Sequence, residues 1–322
     1  MTDKYYSPIT WTVGPEDSGK QVRTVLERRL GVSRKLLSRL KLTEEGLTLN
    51  GGRVYTTALV EEGDELALRM EREQSDDILP QEMPLDIVYE DEYLLLVNKE
   101  AGVIVHPTHG HYTGTLANGI VHHWRQKGET VRFRPIHRLD QETSGLVAVA
   151  KNPYIHQQLS EQMQRGEIGK SYIAFVFGRP EPSAATIDAP IDRNPDDPHY
   201  RIVTPSGYRS VTHYQTLAVY GKEEASKVAL QLETGRTHQI RVHMQHIGCA
   251  LLGDKMYHPA VENQAELRER AEQLITRHCL HAAELSFTHP MTRQQMIFQA
   301  RLPEDLRLLE HELRKLEQPA QQ

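Results

Sequence analysis

The chain has 322 residues, of which 38% are hydrophobic and 25% charged, and its formal net charge at pH 7 is −6. These values are typical of a globular protein with room for one substantial domain and a smaller one, and they exclude a disordered or fibrous chain. No apolar run approaches the ~18 residues that a membrane span needs, the first residues lack the pattern of a signal peptide, and two cysteines cannot build a disulfide framework. We therefore expect a soluble protein of the reducing cytoplasm.

Basic charge is concentrated near the N-terminus. Residues 20–41 contain eight Lys or Arg and a single acid, although the chain as a whole is acidic. A local cluster of this kind favours contacts with phosphate groups, whereas the total charge mainly affects solubility. The alternative is that these side chains form a solvated helix face.

Local signals in the same region predict two short helices. The apolar spacing predicts one helix from Val22 to Leu30, with Gly31 as its end. A second helix is predicted to begin with Ser33 as its N-cap and to continue to about Leu40.

A hairpin is predicted to follow these helices. Alternating residues at 47–50 and from Val54 onward predict two strands, and Asn50-Gly51-Gly52 between them is a hairpin signal. Residues 17–70 resemble the S-four-like RNA-binding module, named for a ribosomal protein, in which paired helices present basic side chains to RNA. The resemblance implies RNA contacts by three side chains of the second helix: Arg34, Lys35 and Arg39.

Beyond this module the chain predicts a linker and then one long mixed domain. Residues 71–84 are charged, contain two prolines and lack an apolar period, which is typical of a linker. Strand and helix patterns then alternate irregularly, which favours an α+β domain. The predicted segments are an N-terminal extension (1–16), the RNA-binding module (17–70), the linker (71–84), the main domain (85–305) and a C-terminal helix and tail (306–322).

Within the main domain the patterns place nine elements. Strands are predicted at 87–89, 93–97, 146–150, 172–177 and 228–232. Helices are predicted at about 115–126, 153–165, 237–247 and 262–275.

The most informative segment is His137-Arg138-Leu139-Asp140-Gln141-Glu142-Thr143-Ser144-Gly145-Leu146, at the start of an apolar strand pattern. In an extended segment alternate side chains share a face, so Arg138 and Asp140 are expected to point the same way while Leu139 points into the core. An isolated pair of this kind is more often a surface ion pair than an active site. Its interpretation therefore depends on what accompanies it.

Four segments of residues 85–305 resemble, in order, the RluA/RluD-type family of large-ribosomal-subunit pseudouridine synthases. They are 98–107, the Asp140 motif, 170–176 and 232–244, and the likeness continues at 252–254, 280–282 and 288–290. The family usually has proline at the position of Glu100, and a bend in the chain could tolerate the loss of that rigidity. The resemblance implies a pseudouridine synthase fold, which has a mixed, mainly antiparallel sheet, flanking helices and a central cleft.

The resemblance also implies roles for individual residues. Asp140 is the catalytic carboxylate, acting as a nucleophile or as a base at the sugar, and Arg241 is the cation that keeps it ionised. Tyr172 is the active-site tyrosine, which can stack on uracil and help to move a proton. Arg138 occupies the space of a flipped-out uridine or contacts a phosphate.

Two further residues are expected to bind RNA or substrate. One is His137, the first residue of the Asp140 motif. The other is Arg236, which competes with Arg241 as the partner of Asp140, although a phosphate or backbone contact fits it better. The helix that carries Arg241 is predicted to have Thr237 as its cap.

These observations predict an isomerase that converts uridine to pseudouridine in structured RNA, with large-subunit ribosomal RNA as the expected target. The reaction is redox-neutral and consumes no energy source, so no cofactor is implied, and the histidine-rich segments lack the ligand spacing of a metal site. RNA is the expected partner, and we expect a monomer without a membrane or a protein partner. The alternatives are a tRNA pseudouridine synthase of the same family, a non-catalytic RNA-binding ribosome-assembly factor, and a hydrolase that uses Asp140 with His137.

Overall fold

The computed structural model describes residues 4–257 and 265–315. These residues form two compact units, each built from separate stretches of chain. The first unit contains residues 4–96, 107–137 and 148–161, and the second contains 97–106, 138–147, 162–257 and 265–315. Both units mix helices and strands, as the predicted α+β class requires.

The described residues contain seven α-helices and fifteen strands. The helices are α1 (Val22–Arg29), α2 (Arg34–Leu40), α3 (Leu116–Gln126), α4 (Pro153–Gln164), α5 (Gln239–His246), α6 (Ala265–Leu274) and α7 (Glu304–Lys315), with a 3-10 turn at Pro15–Asp17. The strands are β1 (Ile9–Thr12), β2 (Leu47–Leu49), β3 (Gly52–Arg53), β4 (Glu65–Leu68), β5 (Asp86–Glu90), β6 (Leu94–Lys99), β7 (Ser144–Ala150), β8 (Gly169–Phe177), β9 (Ala184–Asp188), β10 (Ile191–Arg193), β11 (Arg201–Val203), β12 (Val211–Tyr220), β13 (Ala225–Leu232), β14 (Leu280–Thr288) and β15 (Gln295–Gln299).

A small antiparallel sheet with the order β1-β4-β2-β3 underlies the N-terminal part of the first unit. The β2–β3 turn contains Asn50 and Gly51, whose φ angles of 50° and 80° suit the predicted hairpin. The second hairpin strand is β3, at 52–53, and does not begin at Val54. Strand β1 lies in the stretch predicted as an N-terminal extension, but it pairs with β4 and is part of this sheet.

The turn between α1 and α2 is bound to α4. Tyr154 Oη donates to Leu30 O at 2.8 Å, and Gln157 Nε2 donates to Gly31 O at 2.6 Å. Gly31 has a φ of +62°, and Ser33 Oγ accepts from the Leu36 N–H at 3.2 Å, so the two helices end and begin as predicted. The sequence position of α4 predicts that it belongs to the main domain, but its first part lies in the same compact unit as α1 and α2.

Residues 71–84, predicted as a linker, are packed within the first unit. Ser75 Oγ accepts from the Phe133 N–H at 2.9 Å, and Ser75 and Ile78 are buried. Gln81 N–H donates to Asn118 O at 3.1 Å. The charged composition predicted a linker. In the structure, buried side chains and hydrogen bonds hold residues 71–84 against the rest of the first unit.

The larger sheet is mainly antiparallel. In the first unit its order is β5-β6-β7, and in the second unit it is β7-β14-β8-β13-β12-β9, with β15 paired to β14. The β7–β14 pair is parallel, and it brings Gly145 against Ala282. Gly145 has a φ of +115°, and a Cβ there would lie 2.2 Å from Ala282 O, so only glycine fits where the Asp140 motif enters β7.

The core of the second unit includes the C-terminal helix. Leu306 and Leu309 of α7 pack with Phe175, Leu252 and other apolar residues, as its predicted amphipathic pattern requires. None of the described helices has the length and apolar character to cross a membrane. Helix α6 is described from residue 265, so the predicted start at 262 and the tail after 315 lie outside the described residues.

The two cysteines are both buried free thiols. Burial raises the pKa of Cys249 to about 11, and it also raises the pKa of Cys279. Each therefore behaves as a small apolar side chain at neutral pH.

Candidate active site

Asp140 lies in the loop that precedes β7. Thr143 N–H donates to Asp140 O at 3.1 Å, which closes a turn over the residues between them. The Asp140 side chain is 21% exposed, so it is partly desolvated but still open to a ligand. Its Oδ2 lies 3.5 Å from Arg241 Nη1 and 3.9 Å from His238 Nε2.

Arg241 is the partner of Asp140 that the sequence predicts, but it binds a second acid more closely. Its Nε donates to Asp254 Oδ2 at 2.6 Å and its Nη2 donates to Asp254 Oδ1 at 2.8 Å, a bidentate arrangement. Both residues are buried. Burial alone would raise the pKa of Asp254, but the hydrogen bonds and charge of Arg241 outweigh it and the pKa is lowered.

Asp254 thus aims Arg241 at Asp140. With Nε and Nη2 committed, Nη1 is the donor that faces the Asp140 carboxylate. Asp254 is itself held by the N–H groups of Met256 and Tyr257, which donate to Oδ1 at 2.9 and 3.1 Å. Asp254 lies in a segment that resembles the family, but the sequence pattern alone predicts no role for it.

His238 is the second group beside Asp140, and no pattern in the sequence assigns a role to it. It precedes α5 with φ 58° and ψ 17°, in the left-handed region, and no side chain caps this helix. The prediction that Thr237 is the cap is therefore wrong, because the helix begins two residues beyond it. His238 Nδ1 lies 2.9 Å from Tyr257 Oη.

Tyr172 lies on β8 and is buried. Burial raises the pKa of its hydroxyl, and the negative charge of Asp140 raises it further. The phenol is therefore protonated at neutral pH, and the structure brings it within electrostatic range of Asp140.

Lys99, at the end of β6, stabilises the loops of this region. It is 1% exposed, and its Nζ donates to the carbonyl oxygens of Glu100, Val103 and Gln141 at 2.8, 2.7 and 2.9 Å. Gln141 is the residue after Asp140, so one ammonium group links the turn after β6 to the Asp140 motif. Burial lowers the pKa of Lys99 to about 7, against the opposing charges of Glu142 and Asp140.

Comparison with known proteins identifies the family. A profile described as RNA pseudouridylate synthase matches residues 93–246. The uncharacterized RNA pseudouridine synthase YjbO of Bacillus subtilis (strain 168) is 40% identical over 278 residues, which cover 86% of this chain and 94% of the relative. The ribosomal large subunit pseudouridine synthase D of Pseudomonas aeruginosa is 39% identical, over 80% of this chain and 81% of the relative. The chain belongs to the RluA/RluD-type RNA pseudouridine synthase family.

A solved structure supports the same fold for this pseudouridine synthase. Human RNA pseudouridylate synthase domain containing 4 matches with a TM-score of 0.57 and 26% identity, over 71% of this chain and 92% of the human chain. The predicted isomerase activity and the mixed, mainly antiparallel fold are thereby confirmed.

The other predicted site residues of the synthase lie in different surroundings. Arg138 is exposed. Arg236 is also exposed, and its guanidinium lies 5.4 Å from the centre of the Tyr208 ring, while its Nε donates to Arg209 O at 3.4 Å. Arg236 therefore contacts the local backbone, which is one of the two roles expected for it in place of a pair with Asp140. His137 Nε2 accepts from the Ala148 N–H at 3.4 Å.

The predicted RNA-binding side chains of α2 divide into two groups. Arg34 and Lys35 are exposed. Arg39 forms a salt bridge with Glu73, which also accepts from Arg134 Nη2 at 2.6 Å. Arg39 is thus the least available of the three for a phosphate.

Proposed function

We propose that this synthase converts uridine to pseudouridine in large-subunit ribosomal RNA, with Asp140 as the catalytic residue. The relative from P. aeruginosa carries that ribosomal target in its name and is 39% identical to this chain over 264 aligned residues. We also propose that the enzyme acts as a monomer in the cytoplasm, and that residues 17–70 are an S-four-like module that binds RNA.

One observation carries the proposal for Asp140. This carboxylate is partly open to ligand, and one of its oxygens faces a buried guanidinium that Asp254 already holds in place. When RNA excludes water from the site, the attraction between the Arg241 guanidinium and the Asp140 carboxylate strengthens, because opposite charges interact more strongly where water is absent. A carboxylate oriented in this way can attack as a nucleophile or remove a proton at the sugar.

The remaining steps need a group that handles the detached base. The carbon–nitrogen bond to uracil must break and the base must turn. Its carbon five must then bond to the sugar and lose a proton, while nitrogen one, released from the sugar, gains a proton. Tyr172 is protonated at neutral pH, and it is close enough to Asp140 for the charge of that carboxylate to raise the pKa of its hydroxyl. Its ring can hold the flat base by stacking, and its hydroxyl can relay the proton.

The test is a substitution that keeps the shape of the side chain. Asp140→Asn should abolish pseudouridine formation on ribosomal RNA while its affinity for that RNA remains within about twofold, because only the charge is removed. Asp196→Asn is the matched control, since Asp196 is an exposed acid of the same unit, and it should keep full activity. Turnover by Asp140→Asn would contradict the proposal.

The target is tested by mapping. Pseudouridines are mapped in total RNA from cells with and without this protein, and at least one site in large-subunit ribosomal RNA should disappear with it. Loss confined to tRNA would identify a tRNA enzyme of the same family, and unchanged maps would favour a non-catalytic assembly factor.

A further inference from the structure

The hydrogen bonds around Tyr257 determine which nitrogen of His238 carries the proton. Tyr257 is 2% exposed, and its Oη accepts from the Arg201 N–H at 2.9 Å. If His238 donated through Nδ1, the phenol would accept twice and its own hydrogen would be buried without an acceptor among the described residues, which costs free energy. If the phenol donates to Nδ1 instead, every group is satisfied. A neutral His238 then carries its proton on Nε2.

This Nε2–H group faces Asp140. The distance from Nε2 to Asp140 Oδ2 is 3.9 Å, slightly more than a hydrogen bond, and Arg241 Nη1 lies 3.5 Å from the same oxygen. Among the described residues, the side chain of Asp140 makes its polar contacts through Oδ2. Because Arg241 and His238 both face Oδ2, Oδ1 is the oxygen that is turned away from them and open to react.

The position of the imidazole is fixed from two sides. The left-handed backbone of His238 is uncommon for a residue other than glycine, and such strain persists only where the surrounding structure enforces it. The Tyr257 ring packs edge-on against the imidazole, with 5.6 Å between ring centres, and it also lies 4.9 Å from the Arg241 guanidinium. Tyr257 therefore orients both donors that face Asp140.

The surrounding charges keep the ring neutral. Burial lowers the pKa of His238, the charge of Asp140 opposes this effect, and Arg241 and Arg201 lower the pKa further against Asp254. These groups face the ring from the loop before β7, from α5, from β11 and from the chain that follows α5. The net pKa lies below the usual 6.5, so the ring is uncharged at pH 7.

We propose that His238 is a positioning residue: its Nε2–H, in a tautomer that Tyr257 selects, holds Oδ2 of Asp140 together with Arg241 and so presents Oδ1 to the substrate nucleoside. The inference rests on the proposed catalytic role of Asp140. The remaining gap between Nε2 and Oδ2 closes when bound RNA displaces water, since catalytic hydrogen bonds are often long before substrate binds.

The tautomer can be measured directly on the full-length protein. Long-range proton–nitrogen correlation spectra at pH 7.5 distinguish the two ring nitrogens, and comparison with His238→Gln assigns the signals of His238 among the other histidines. The expected pattern is a protonated Nε2 and an unprotonated Nδ1. The opposite pattern in the wild type would overturn the proposal.

Single-turnover kinetics on an RNA substrate test the consequence. His238→Ala and Tyr257→Phe should slow the chemical step, by about 10²-fold for His238→Ala, because a carboxylate displaced by about 1 Å reacts much more slowly. Affinity for RNA should stay close to wild type, whereas the thermal midpoint should fall modestly in both variants, because each leaves a buried polar group without its partner. His238→Gln should recover most of the rate, since its amide nitrogen also donates at that reach.

The pH profile separates positioning from mere packing. Below pH 6.5 the wild-type rate should fall as His238 gains a proton and pairs with Asp140 as an ion, whereas His238→Gln should keep its rate to lower pH. Equal single-turnover rates for wild type and His238→Ala would refute the positioning role. A wild type that makes no pseudouridine would instead contradict the proposed function.

Discussion

Arg241 lies between two carboxylates and is bound unequally to them. Asp254 holds two of its nitrogens at 2.6 and 2.8 Å, whereas Asp140 faces the third at 3.5 Å. The close pair is buried and bidentate, which fixes the geometry of the guanidinium. The looser contact leaves Asp140 free to engage a substrate. Asp254 thus fixes the position of Arg241, and the positive charge of Arg241 acts on Asp140.

Removing the charge of Asp254 should leave Arg241 buried without a close partner. We expect Asp254→Asn to lower the free energy of unfolding by about 3 kcal/mol, because an uncompensated buried charge is costly. The rate of pseudouridine formation should fall as well, with RNA affinity unchanged. Chemical denaturation and single-turnover assays measure the two effects. Asp305→Asn, which disturbs the pair with Arg277, is the control and should reduce stability without a similar loss of rate.

At the scale of secondary structure, the loops around Asp140 are fixed by groups inside the strands they connect. Lys99 closes β6 and binds three carbonyl oxygens in two different loops. Gly145 is the second residue of β7, at a point where a larger residue would collide with Ala282 on β14. The backbone of the Asp140 motif is therefore held in one conformation. A carboxylate that must be positioned before the substrate arrives needs this kind of preorganisation.

Lys99→Met should release both loops, because methionine has a similar length but no donor for the three buried carbonyls. We expect a loss of about 3 kcal/mol in the free energy of unfolding near pH 7 and a lower rate of turnover. Since the pKa is about 7 in the folded protein and 10.5 in the unfolded chain, the unfolded chain binds more protons between these values. Wild-type stability should therefore rise with pH relative to Lys99→Met, by about 1.4 kcal/mol per pH unit above 7.

Denaturation curves from pH 6 to pH 9 measure this difference. Lys222→Met, at an exposed position, is the control for the loss of a lysine from the surface. A stability difference between wild type and Lys99→Met that is constant from pH 7 to pH 9 would show that the folded lysine keeps its proton.

At the scale of the whole molecule, an acidic chain carries a local excess of basic residues. Of the eight basic residues in 20–41, Lys20 and Arg29 pair with Asp17, and Arg39 pairs with Glu73. The other five are exposed and form no ion pair within the described residues: Arg23, Arg28, Arg34, Lys35 and Lys41. The positive charge available to RNA is therefore smaller than the sequence suggests, and it is confined to particular side chains.

This division predicts different effects for neighbouring residues of α2. Combined Arg34→Ala and Lys35→Ala should weaken RNA binding and reduce the slope of log affinity against log salt by up to ~0.7 for each phosphate that is no longer neutralised. Arg39→Ala, the matched control on the same helix, should change the slope less, because Glu73 already neutralises its charge. Affinity measured from low to high salt tests both. An equal slope for wild type and the double variant would mean that these side chains only face solvent.

Local elements of the fold could be predicted, and long-range ones could not. Helices α1 and α2 end at signals carried by adjacent residues, Gly31 and Ser33, and most predicted strands in the main domain lie within two or three residues of observed ones. Strands β1, β9 and β14 were not predicted, because their partners β4, β12 and β8 are distant in sequence. Strand β15 was also missed, although it forms a hairpin with β14. In β12 a register shift between Thr216 and Ala218 interrupts the alternation that signals a strand.

The candidate site shows the same limit. Asp140, Tyr172 and Arg241 occupy positions to which the family resemblance assigns a role, so the sequence could single them out. Asp254 and His238 acquire their significance from the residues they contact, and neither a charge pattern nor a spacing reveals that. The role of Lys99 could not be predicted either. A lysine that donates only to backbone carbonyls needs no acidic partner, so no charge pattern in the sequence reveals it.

The buried sulfurs make the enzyme a convenient subject for labelling. Because Cys249 and Cys279 are inaccessible and their thiols hold their protons at neutral pH, alkylating reagents should leave the native protein unmodified. One cysteine introduced on the surface would then accept a fluorophore selectively, without prior replacement of the natural pair, and could report RNA engagement in real time.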